Sequence, residues 1–310
     1  MVTDFALVVV NFGSSDLLAT NLVDVHSQAP HAHVIVVDNL SSEHERERVT
    51  TLSAREGWTL VAMDRNAGFG GGVNAGVDAA LGAGAEDVLV LNPDARIDAD
   101  SIRALERAVA RDRLTLASPV VKEASGRIWF GGMDVYLADG RMRATRRREA
   151  FPDAERWEWL SGACLWITRE VWSKTGGFDH EYFLYWEDVD YSRRAVEAGI
   201  ALAIVQEATA VHDEGATHRG QQQRAEAKSE TYYYYNIRNR LLFAARHLDD
   251  EGQRRWARTA VRNARQVLLR GGRRQFLRPV APLRAAWRGI RDGRRLIRTA
   301  GSRVRADADG

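Results

Sequence analysis

The stretch Leu7-Val-Val-Val-Asn11 decides the fold, because it is an apolar run of strand length that ends in a polar residue. Residues 14–27 follow with leucine and valine at helical spacing, and residues 34–38, 59–63 and 87–91 repeat the apolar pattern. Strands that are apolar throughout and are joined by helices indicate a mostly parallel sheet with helices on both faces. The sequence therefore predicts an α/β fold.

Polar side chains stand at the carboxyl ends of three of these strands. Asn11 ends the first strand, Asp38 and Asn39 end the second, and Asn92 and Asp94 follow the fourth. Ligands of such sheets bind beyond the carboxyl ends of the strands, so we expect a binding site at this edge. The Asp94 carboxylate either holds a divalent metal, which in turn holds a diphosphate, or forms an Asx turn.

A glycine run, Asn66-Ala-Gly-Phe-Gly-Gly-Gly-Val-Asn74, separates the third strand from a helix predicted over residues 73–81. Glycines here let backbone amides approach a pyrophosphate at a helix N-terminus. They also suit a tight turn with close helix packing, and the run alone does not separate the two. No Gly-Lys-Ser/Thr follows, which excludes a P-loop. The run is also a poor match to the dinucleotide-binding fingerprint, because Val73 occupies the position of its third glycine.

Two further features carry candidate chemistry. Glu187 and Asp188 open a predicted helix directly after the aromatic run at residues 182–186. First-turn carboxylates are ordinary complements of the helix dipole, but an aromatic wall raises a carboxylate's pKa and stacks sugar rings, as a general-base site needs. His212 follows a strand predicted over residues 201–211 and is either structural or a metal ligand.

The net charge of +2 hides a strong asymmetry. Residues 251–310 hold 17 Arg, no Lys and four acidic residues, a net charge of +13, which leaves −11 on residues 1–250. A basic tail on an acidic body favours an anionic partner, either a membrane surface, a nucleic acid or phosphate groups. A basic helix pair packed on the body and a homodimer contact are the alternatives. One helical apolar stripe runs along the tail through Trp256, Ala260, Ala264, Val267 and Leu268.

Composition limits the class of protein. A chain of 310 residues with 45% hydrophobic and 28% charged residues is globular. Its single cysteine, Cys164, excludes an internal disulfide framework and a multi-cysteine zinc site, and we interpret it as a small buried hydrophobe. No run approaches the roughly 18 apolar residues of a membrane span, and the first residues lack a signal peptide's basic region. We expect a cytoplasmic protein, soluble or peripheral on the inner face of the plasma membrane.

These features occur in an order that resembles the family 2 inverting glycosyltransferases with the GT-A fold, a Rossmann-like architecture. Within that family the sequence is most similar to bacterial rhamnosyltransferases that act on lipid-linked sugars. The most specific stretch is WLSGACLWITREVW at residues 159–172, continued by GGFDHEYFLYWEDVD at residues 176–190. The resemblance implies a GT-A domain over residues 1–246 and a basic, helical C-terminal region over residues 247–310.

The resemblance also implies roles for individual residues. Asp188 is the expected catalytic base, supported by Glu187. Asp94 matches the last carboxylate of the family's Asp-x-Asp motif, in which Asn92 replaces the first Asp, and His212 is a further expected ligand of Mg²⁺ or Mn²⁺. The residues expected to bind the nucleotide sugar are Asn11, Asp38, Asn39, Asn66, Phe69, Gly70, Asn74 and Asn92. Those expected to contact the acceptor are Trp159, Gly162, Tyr185 and Trp186.

The implied activity is metal-dependent, inverting transfer of a sugar to a hydroxyl of a glycan or of a polyprenyl-diphosphate-linked acceptor in cell-envelope polysaccharide synthesis. The expected donor is dTDP-L-rhamnose, with another dTDP- or UDP-sugar as the alternative. One rival is a glycosyltransferase that acts on a soluble small molecule such as an antibiotic, which does not require a basic amphipathic tail. The other is a non-enzymatic nucleic-acid binder, but the tail lacks a recognition motif and a binder needs no polar strand ends. We expect no nucleic-acid partner.

Overall fold

The computed structural model describes residues 5–212, 228–272 and 280–308. Within these ranges, a nine-stranded sheet has the strand order β3-β2-β1-β4-β11-β6-β12-β5, and β7 pairs with β6. Its strands are β1 (Phe5–Asn11), β2 (His33–Asp38), β3 (Thr59–Ala62), β4 (Asp87–Leu91), β5 (Ala95–Ile97), β6 (Thr115–Lys122), β7 (Ile128–Phe130), β11 (Cys164–Thr168) and β12 (Ala201–His212). The strands β8 (Met133–Tyr136), β9 (Arg141–Ala144) and β10 (Arg156–Trp159) form a separate antiparallel sheet.

Helices cover the main sheet and form the C-terminal region. The α-helices are α1 (Ser15–Leu17), α2 (Val23–Gln28), α3 (Glu43–Glu56), α4 (Gly68–Gly82), α5 (Ala99–Arg111), α6 (Arg169–Thr175), α7 (Glu187–Glu197), α8 (Glu230–His247), α9 (Asp250–Arg258), α10 (Ala260–Leu269) and α11 (Val280–Ala308). A π-helical turn, Leu18–Leu22, joins α1 to α2, and the 3₁₀ turns are Thr145–Ala150 and His180–Tyr182.

The predicted parallel half of the sheet is confirmed. β1 lies between β2 and β4, and all three run parallel. β1 is buried on both sides: Leu7 and Val9 belong to one hydrophobic core, while Val8 and Val10 belong to the other. This double burial is why the strand is apolar throughout. β11 runs antiparallel to both of its neighbours, so the sheet as a whole is mixed.

The glycine run is helical, which corrects the predicted helix start at residue 73. α4 begins at Gly68, and its glycines let the helix lie directly on the sheet. A Cβ atom on Gly72 would lie 2.6 Å from Val10 Cγ1, and one on Gly76 would lie 2.4 Å from Val8 Cγ1. Close helix packing, one of the two interpretations of this run, therefore accounts for Gly72. The same packing requires Gly76, two residues beyond the end of the run.

The tail is helical and packs on the body. The predicted apolar stripe forms one face, but Trp256 is fully buried and its indole N–H donates to Leu137 O at 2.7 Å. Trp256 and Ala260 belong to the same hydrophobic core as β1, so this core continues across the predicted boundary at residue 246. α11 packs along α8, where Ala285 and Ala286 are buried. The stripe begun by Trp256 is therefore not available to a membrane.

Candidate active site

The carboxyl end of β2 presents a buried carboxylate. Asp38 is fully buried, and its Oδ2 accepts a hydrogen bond from Arg46 Nε at 2.6 Å. Arg46 also donates to Met63 O, which anchors its guanidinium between the two strand ends. The other oxygen, Asp38 Oδ1, is buried and has no hydrogen-bond partner among the described residues. A buried carboxylate oxygen without a donor is costly, so Asp38 Oδ1 is a candidate contact for a ligand's hydrogen-bond donor, and its role at the nucleotide stays a prediction.

Asn39 and Asn66 join this strand end to the start of α4. Asn39 Nδ2 donates to Asn66 Oδ1 at 3.1 Å and to Gly68 O at 3.0 Å. Asn66 Oδ1 also accepts the Gly68 amide at 2.9 Å, and the Phe69 amide donates to Phe183 O at 2.9 Å. Two of the first amides of α4 are thus used inside the protein, and the network fixes the helix start against the strand edge.

Two asparagines expected at the nucleotide sugar hold loops in place. Asn11 Nδ2 donates to Glu45 Oε1 at 3.2 Å, and its Oδ1 accepts the Ser14 amide at 3.0 Å. Asn74 makes two hydrogen bonds with the backbone of Phe178. Its Nδ2 donates to the carbonyl and its Oδ1 accepts the amide, both at 2.8 Å. Their direct contact with a nucleotide sugar stays a prediction.

The expected metal ligands lie together. His212 Nε2 is 3.1 Å from Asp94 Oδ1 and 3.4 Å from Asn92 Nδ2. The His212 ring lies beside Trp129, with 4.6 Å between the ring centroids. Neighbouring ligands of an octahedral ion with bonds of about 2.1 Å are about 3.0 Å apart, so a carboxylate and an imidazole at this spacing fit Mg²⁺ or Mn²⁺. The described residues contain no group of three or more such ligands, so an ion bound here would need oxygens of a diphosphate or of water to complete its coordination.

Glu187 and Asp188 occupy the first turn of α7, as the sequence predicts. Asp188 Oδ2 accepts the Gly162 amide at 3.2 Å, and its Oδ1 accepts the Val189 amide at 2.9 Å. Glu187 is buried, and its Oε2 has no hydrogen-bond partner among the described residues. Asp188 is only partly buried, in contrast to Glu187.

The two carboxyls lie in different environments. Burial raises the pKa of Glu187 well above its ordinary range, and the charge of Asp188 raises it further. Burial also raises the pKa of Asp188, to about 6, while the Gly162 and Val189 amides limit the rise. At neutral pH Asp188 is therefore ionised, and it is basic enough to accept a proton.

The loop after β10 connects the separate parts into one site. The Gly162 amide binds Asp188, and the next residue, Ala163, accepts the Asn92 amide at 2.9 Å. On the other side, a Cβ atom on Gly162 would lie 2.9 Å from Phe69 Cε1, and one on Gly70 would lie 3.7 Å from Glu187 Cβ. The start of α4, the two carboxyls Glu187 and Asp188, and the Asn92 strand end therefore meet around Gly162.

The aromatic loop before Asp188 is strained, and α8 holds it. Phe183, Tyr185 and Trp186 have φ values of 59°, 66° and 73°, a region that side-chain-bearing residues rarely adopt. Asn239 is fully buried, and its Nδ2 lies 2.7, 2.9 and 2.8 Å from the carbonyl oxygens of Tyr182, Leu184 and Tyr185. The sequence analysis did not identify Asn239. The pattern that could have indicated it is a polar residue at helical spacing from Tyr235, Leu242 and Phe243.

The four residues expected at the acceptor differ in exposure. Trp159 is only 8% exposed and packs on Phe130, a core position. Tyr185 is half-buried. Trp186 is 6% exposed, but it lines a cavity between β9 and the C-terminal helices. Gly162 lies beside Asp188. An acceptor role for all four stays a prediction, and the burial of Trp159 favours a packing role.

Known proteins resemble this chain in sequence and in fold. It is 32% identical over 178 residues to N-acetylglucosaminyl-diphospho-decaprenol L-rhamnosyltransferase of Mycobacterium tuberculosis, covering 49% of this chain and 58% of that protein. The match therefore spans less than two thirds of that relative. The chain is 22% identical over 199 residues to dTDP-rhamnosyl transferase RfbF of Shigella flexneri, covering 64% of this chain and 65% of that protein.

A solved structure shares the fold. The mannosyltransferase PcManGT from Pyrobaculum calidifontis, in complex with GDP-Man and Mn²⁺, superimposes with a TM-score of 0.53 at 14% identity. The superposition covers 95% of this chain and 86% of that one, which shows the GT-A fold. The model of the family described as "Glycosyltransferase like family 2" matches residues 3–268, most of the chain. With the strand-edge site and the paired carboxyls in place, the chain belongs to the family 2 glycosyltransferases.

Proposed function

We propose that this glycosyltransferase moves L-rhamnose from dTDP-L-rhamnose, with inversion, to a hydroxyl of a polyprenyl-diphosphate-linked glycan of the cell envelope. The observation that carries the proposed chemistry is the Asp188 carboxylate, which is ionised, only partly buried and aimed by the Gly162 amide. The rhamnosyltransferase relatives support the donor and the acceptor.

In the proposed reaction Asp188 takes the proton from the acceptor hydroxyl. The hydroxyl oxygen forms a bond to the anomeric carbon from the face opposite the diphosphate, and the carbon–oxygen bond to the diphosphate breaks. The products are an inverted glycoside and a nucleoside diphosphate. Glu187 is buried beside Asp188, and burial and the charge of Asp188 both raise its pKa, which favours its neutral form.

Asp94 and His212 are the residues that would hold Mg²⁺ or Mn²⁺, with Asn92 beside them. When bound, such an ion neutralises the charge that develops on the leaving diphosphate. EDTA should abolish transfer, and added Mg²⁺ or Mn²⁺ should restore it. Asp94→Ala should weaken binding of the nucleoside diphosphate, whereas Asp100→Ala, an exposed control in the first turn of α5, should not. Full transfer in excess chelator contradicts this assignment.

Asp38 is proposed to read the base. Its unpaired Oδ1 needs a donor, and thymine and uracil both offer an N3–H, while cytosine offers none at that position. Titration calorimetry with dTDP, UDP and dCDP tests this, and we expect dCDP to bind at least tenfold more weakly. UDP binding much more tightly than dTDP contradicts the donor, and equal binding of all three contradicts the role of Asp38. A panel of nucleotide sugars, scored for turnover, then identifies the sugar.

Because the Trp256 stripe is buried, the proposed membrane contact is α11 instead. Val280, Leu283 and Trp287 are 74%, 49% and 60% exposed, and a spacing of three and seven residues places them on one helix face. Arg284 and Arg288 lie on the same helix and suit anionic headgroups. No helix of the described residues is long and apolar enough to cross a membrane. Burial of the Trp256 stripe favours the second candidate function, transfer to a soluble acceptor, and the vesicle measurement in the Discussion separates the two.

A further inference from the structure

A cavity of about 250 Å³ lies between the small sheet and the C-terminal helices, on the Trp186 side of the catalytic loop. We call it the arginine pocket. Its walls come from the turn before β9 and β9 itself, from α8, and from α10. It is lined by Gly140, Arg141, Met142, Arg143, Trp186, Asn236, Asn263, Gln266, Val267 and Arg270. Three arginines, two asparagines, a glutamine and a tryptophan are thus among the residues that line one concave space, and their side chains are rich in hydrogen-bond donors.

The charge of the pocket is not balanced inside the protein. Asp139 is the carboxylate beside it, at 3.1 Å from Arg141 Nε and 4.0 Å from Arg143 Nη1. The same carboxylate also lies 4.0 Å from Arg262 Nη2, so it is shared among three cations. For Arg270, a fourth cation, the described residues show no ion pair within 4.0 Å. This wall of the protein therefore carries an excess of positive charge.

Arg143 in particular is prepared for an anion. Its guanidinium is sandwiched between the rings of Tyr136 and Phe151, at 4.3 and 4.6 Å from their centroids. Its Nη1 atom is buried and makes no hydrogen bond within the described part of the chain. Two rings thus hold the guanidinium of one lining arginine in place, and planar guanidinium groups bind phosphate oxygens in pairs of hydrogen bonds.

The pocket lies close to the reacting centre. Trp186 lines it, and Asp188 follows two residues later, so their Cα atoms are at most about 7.6 Å apart. The Trp186 ring packs against Phe243 and Trp256, on the side of the C-terminal helices. Trp186 therefore connects the wall of the pocket to the first turn of α7, where Asp188 lies.

We infer that the arginine pocket binds the phosphate groups of a glycosyl-diphosphate acceptor, which sets the distance from the lipid end to the hydroxyl that is glycosylated. The inference rests on the proposed function, because it assigns the pocket to the acceptor of that reaction. The group that the pocket binds is a diphosphate ester, which a lipid-linked acceptor and a free sugar diphosphate both carry.

Binding of two probes to the full-length protein tests this inference without any turnover. Geranyl diphosphate represents a prenyl-linked diphosphate, and inorganic pyrophosphate represents a free one. Both are titrated by calorimetry with dTDP and Mg²⁺ present, so that the donor site is filled. Arg270→Gln removes an exposed pocket cation, Arg143→Gln removes the sandwiched one, and Arg265→Gln is the matched control on an exposed face of α10.

We expect Arg270→Gln and Arg143→Gln each to weaken geranyl diphosphate binding by about tenfold, and Arg265→Gln to change it by less than twofold. Equally tight pyrophosphate binding assigns the affinity to the diphosphate alone, and weaker pyrophosphate binding adds a contribution from the prenyl chain. An equal loss in all three variants indicates non-specific charge and overturns the inference. Unchanged binding in Arg270→Gln overturns it as well. If Arg143→Gln fails to fold, Arg270→Gln alone decides the test. Failure of the proposed function appears separately, as wild-type protein that binds the probes but transfers no sugar.

Discussion

At the residue scale, the site depends on two adjacent carboxyls in different environments. Glu187 is buried without a hydrogen-bond partner among the described residues, whereas Asp188 receives two backbone amides and is only partly buried. Burial raises both pKa values, but the amides hold that of Asp188 to about 6. A base with this pKa is ionised at neutral pH and still basic enough to assist attack by a hydroxyl.

The pH dependence of transfer follows from this pKa. Protonated Asp188 cannot accept a proton, so kcat/KM should fall about tenfold per unit as the pH drops below about 6 and should be level above it. The rate is measured across this range with saturating metal and donor. A profile that stays flat down to the ordinary pKa of an aspartate, near 4, contradicts the assigned pKa.

The same pKa predicts a gain in stability when the charge is removed. The folded pKa of Asp188 lies above the ordinary value, so the protonated form is favoured by folding and this stability is lost as the pH rises through about 6. Asp188→Asn removes the ionisation and keeps the shape. The Tm of this variant relative to that of the wild type should therefore be higher at pH 7.5 than at pH 4, where the wild-type carboxyl is protonated as well. A Tm difference that does not change between these pH values contradicts the raised pKa.

At the element scale, buried contacts hold the loops around the catalytic pair. Part of this was predictable from sequence: apolar strands with polar ends indicated where the sheet edge and its ligands lie, and the carboxylates fell in the first turn of a helix. The role of Asn239 was not predictable, because its partners at residues 182–185 are distant in the chain and lie in a loop of irregular backbone. The packing function of Gly72 and Gly76 also required the position of β1 beneath α4.

Asn239 is predicted to position the catalytic loop. Asn239→Ala leaves three carbonyl oxygens without their donor, which should cost about 2–3 kcal/mol of unfolding free energy and lower kcat at least tenfold, with little change in the donor's KM. Urea unfolding and steady-state kinetics measure both effects. Thr231→Ala, exposed on the same helix, is the control and should match the wild type. An unchanged kcat in Asn239→Ala contradicts a positioning role.

Alanine substitutions at two glycines of α4 are predicted to change the free energy of unfolding in opposite directions. Gly76→Ala places a Cβ atom 2.4 Å from Val8 Cγ1 and should destabilise the protein by about 1–3 kcal/mol through overpacking. Gly82→Ala meets no atom within 4 Å and should stabilise it by about 0.5–1 kcal/mol, because alanine is less flexible in the unfolded chain. Chemical denaturation of both variants checks the pair, and equal effects would show that close packing of α4 on β1 is not what the glycines provide.

At the scale of the whole molecule, the basic tail is part of the folded body. The amphipathic pattern indicated correctly that one helix face is apolar, but such a pattern does not identify what covers that face. Here the core that contains β1 covers Trp256, so removal of the tail at residue 250 would also remove a core residue. Point substitutions on α11 are therefore the appropriate test of membrane binding.

Sedimentation with anionic vesicles tests the membrane contact. The full chain should pellet at low salt and be released at high salt, because each arginine near the surface contributes about 1 kcal/mol. Replacing Leu283 and Trp287 together by serine should reduce the pelleted fraction several-fold, whereas Val261→Ser, an exposed apolar control on α10, should not. If neither variant changes sedimentation, α11 is not the contact, and a soluble acceptor becomes the better assignment.

Asp188 is the proposed base of an inverting sugar transfer, and steady-state transfer by Asp188→Asn is the decisive measurement. The substitution keeps the size of the side chain and an oxygen for the Gly162 amide, but removes basicity. We expect kcat to fall by about 10²-fold or more, with nucleoside diphosphate affinity within twofold of the wild type by calorimetry. Near-normal turnover in a variant that still binds the donor would exclude Asp188 as the base.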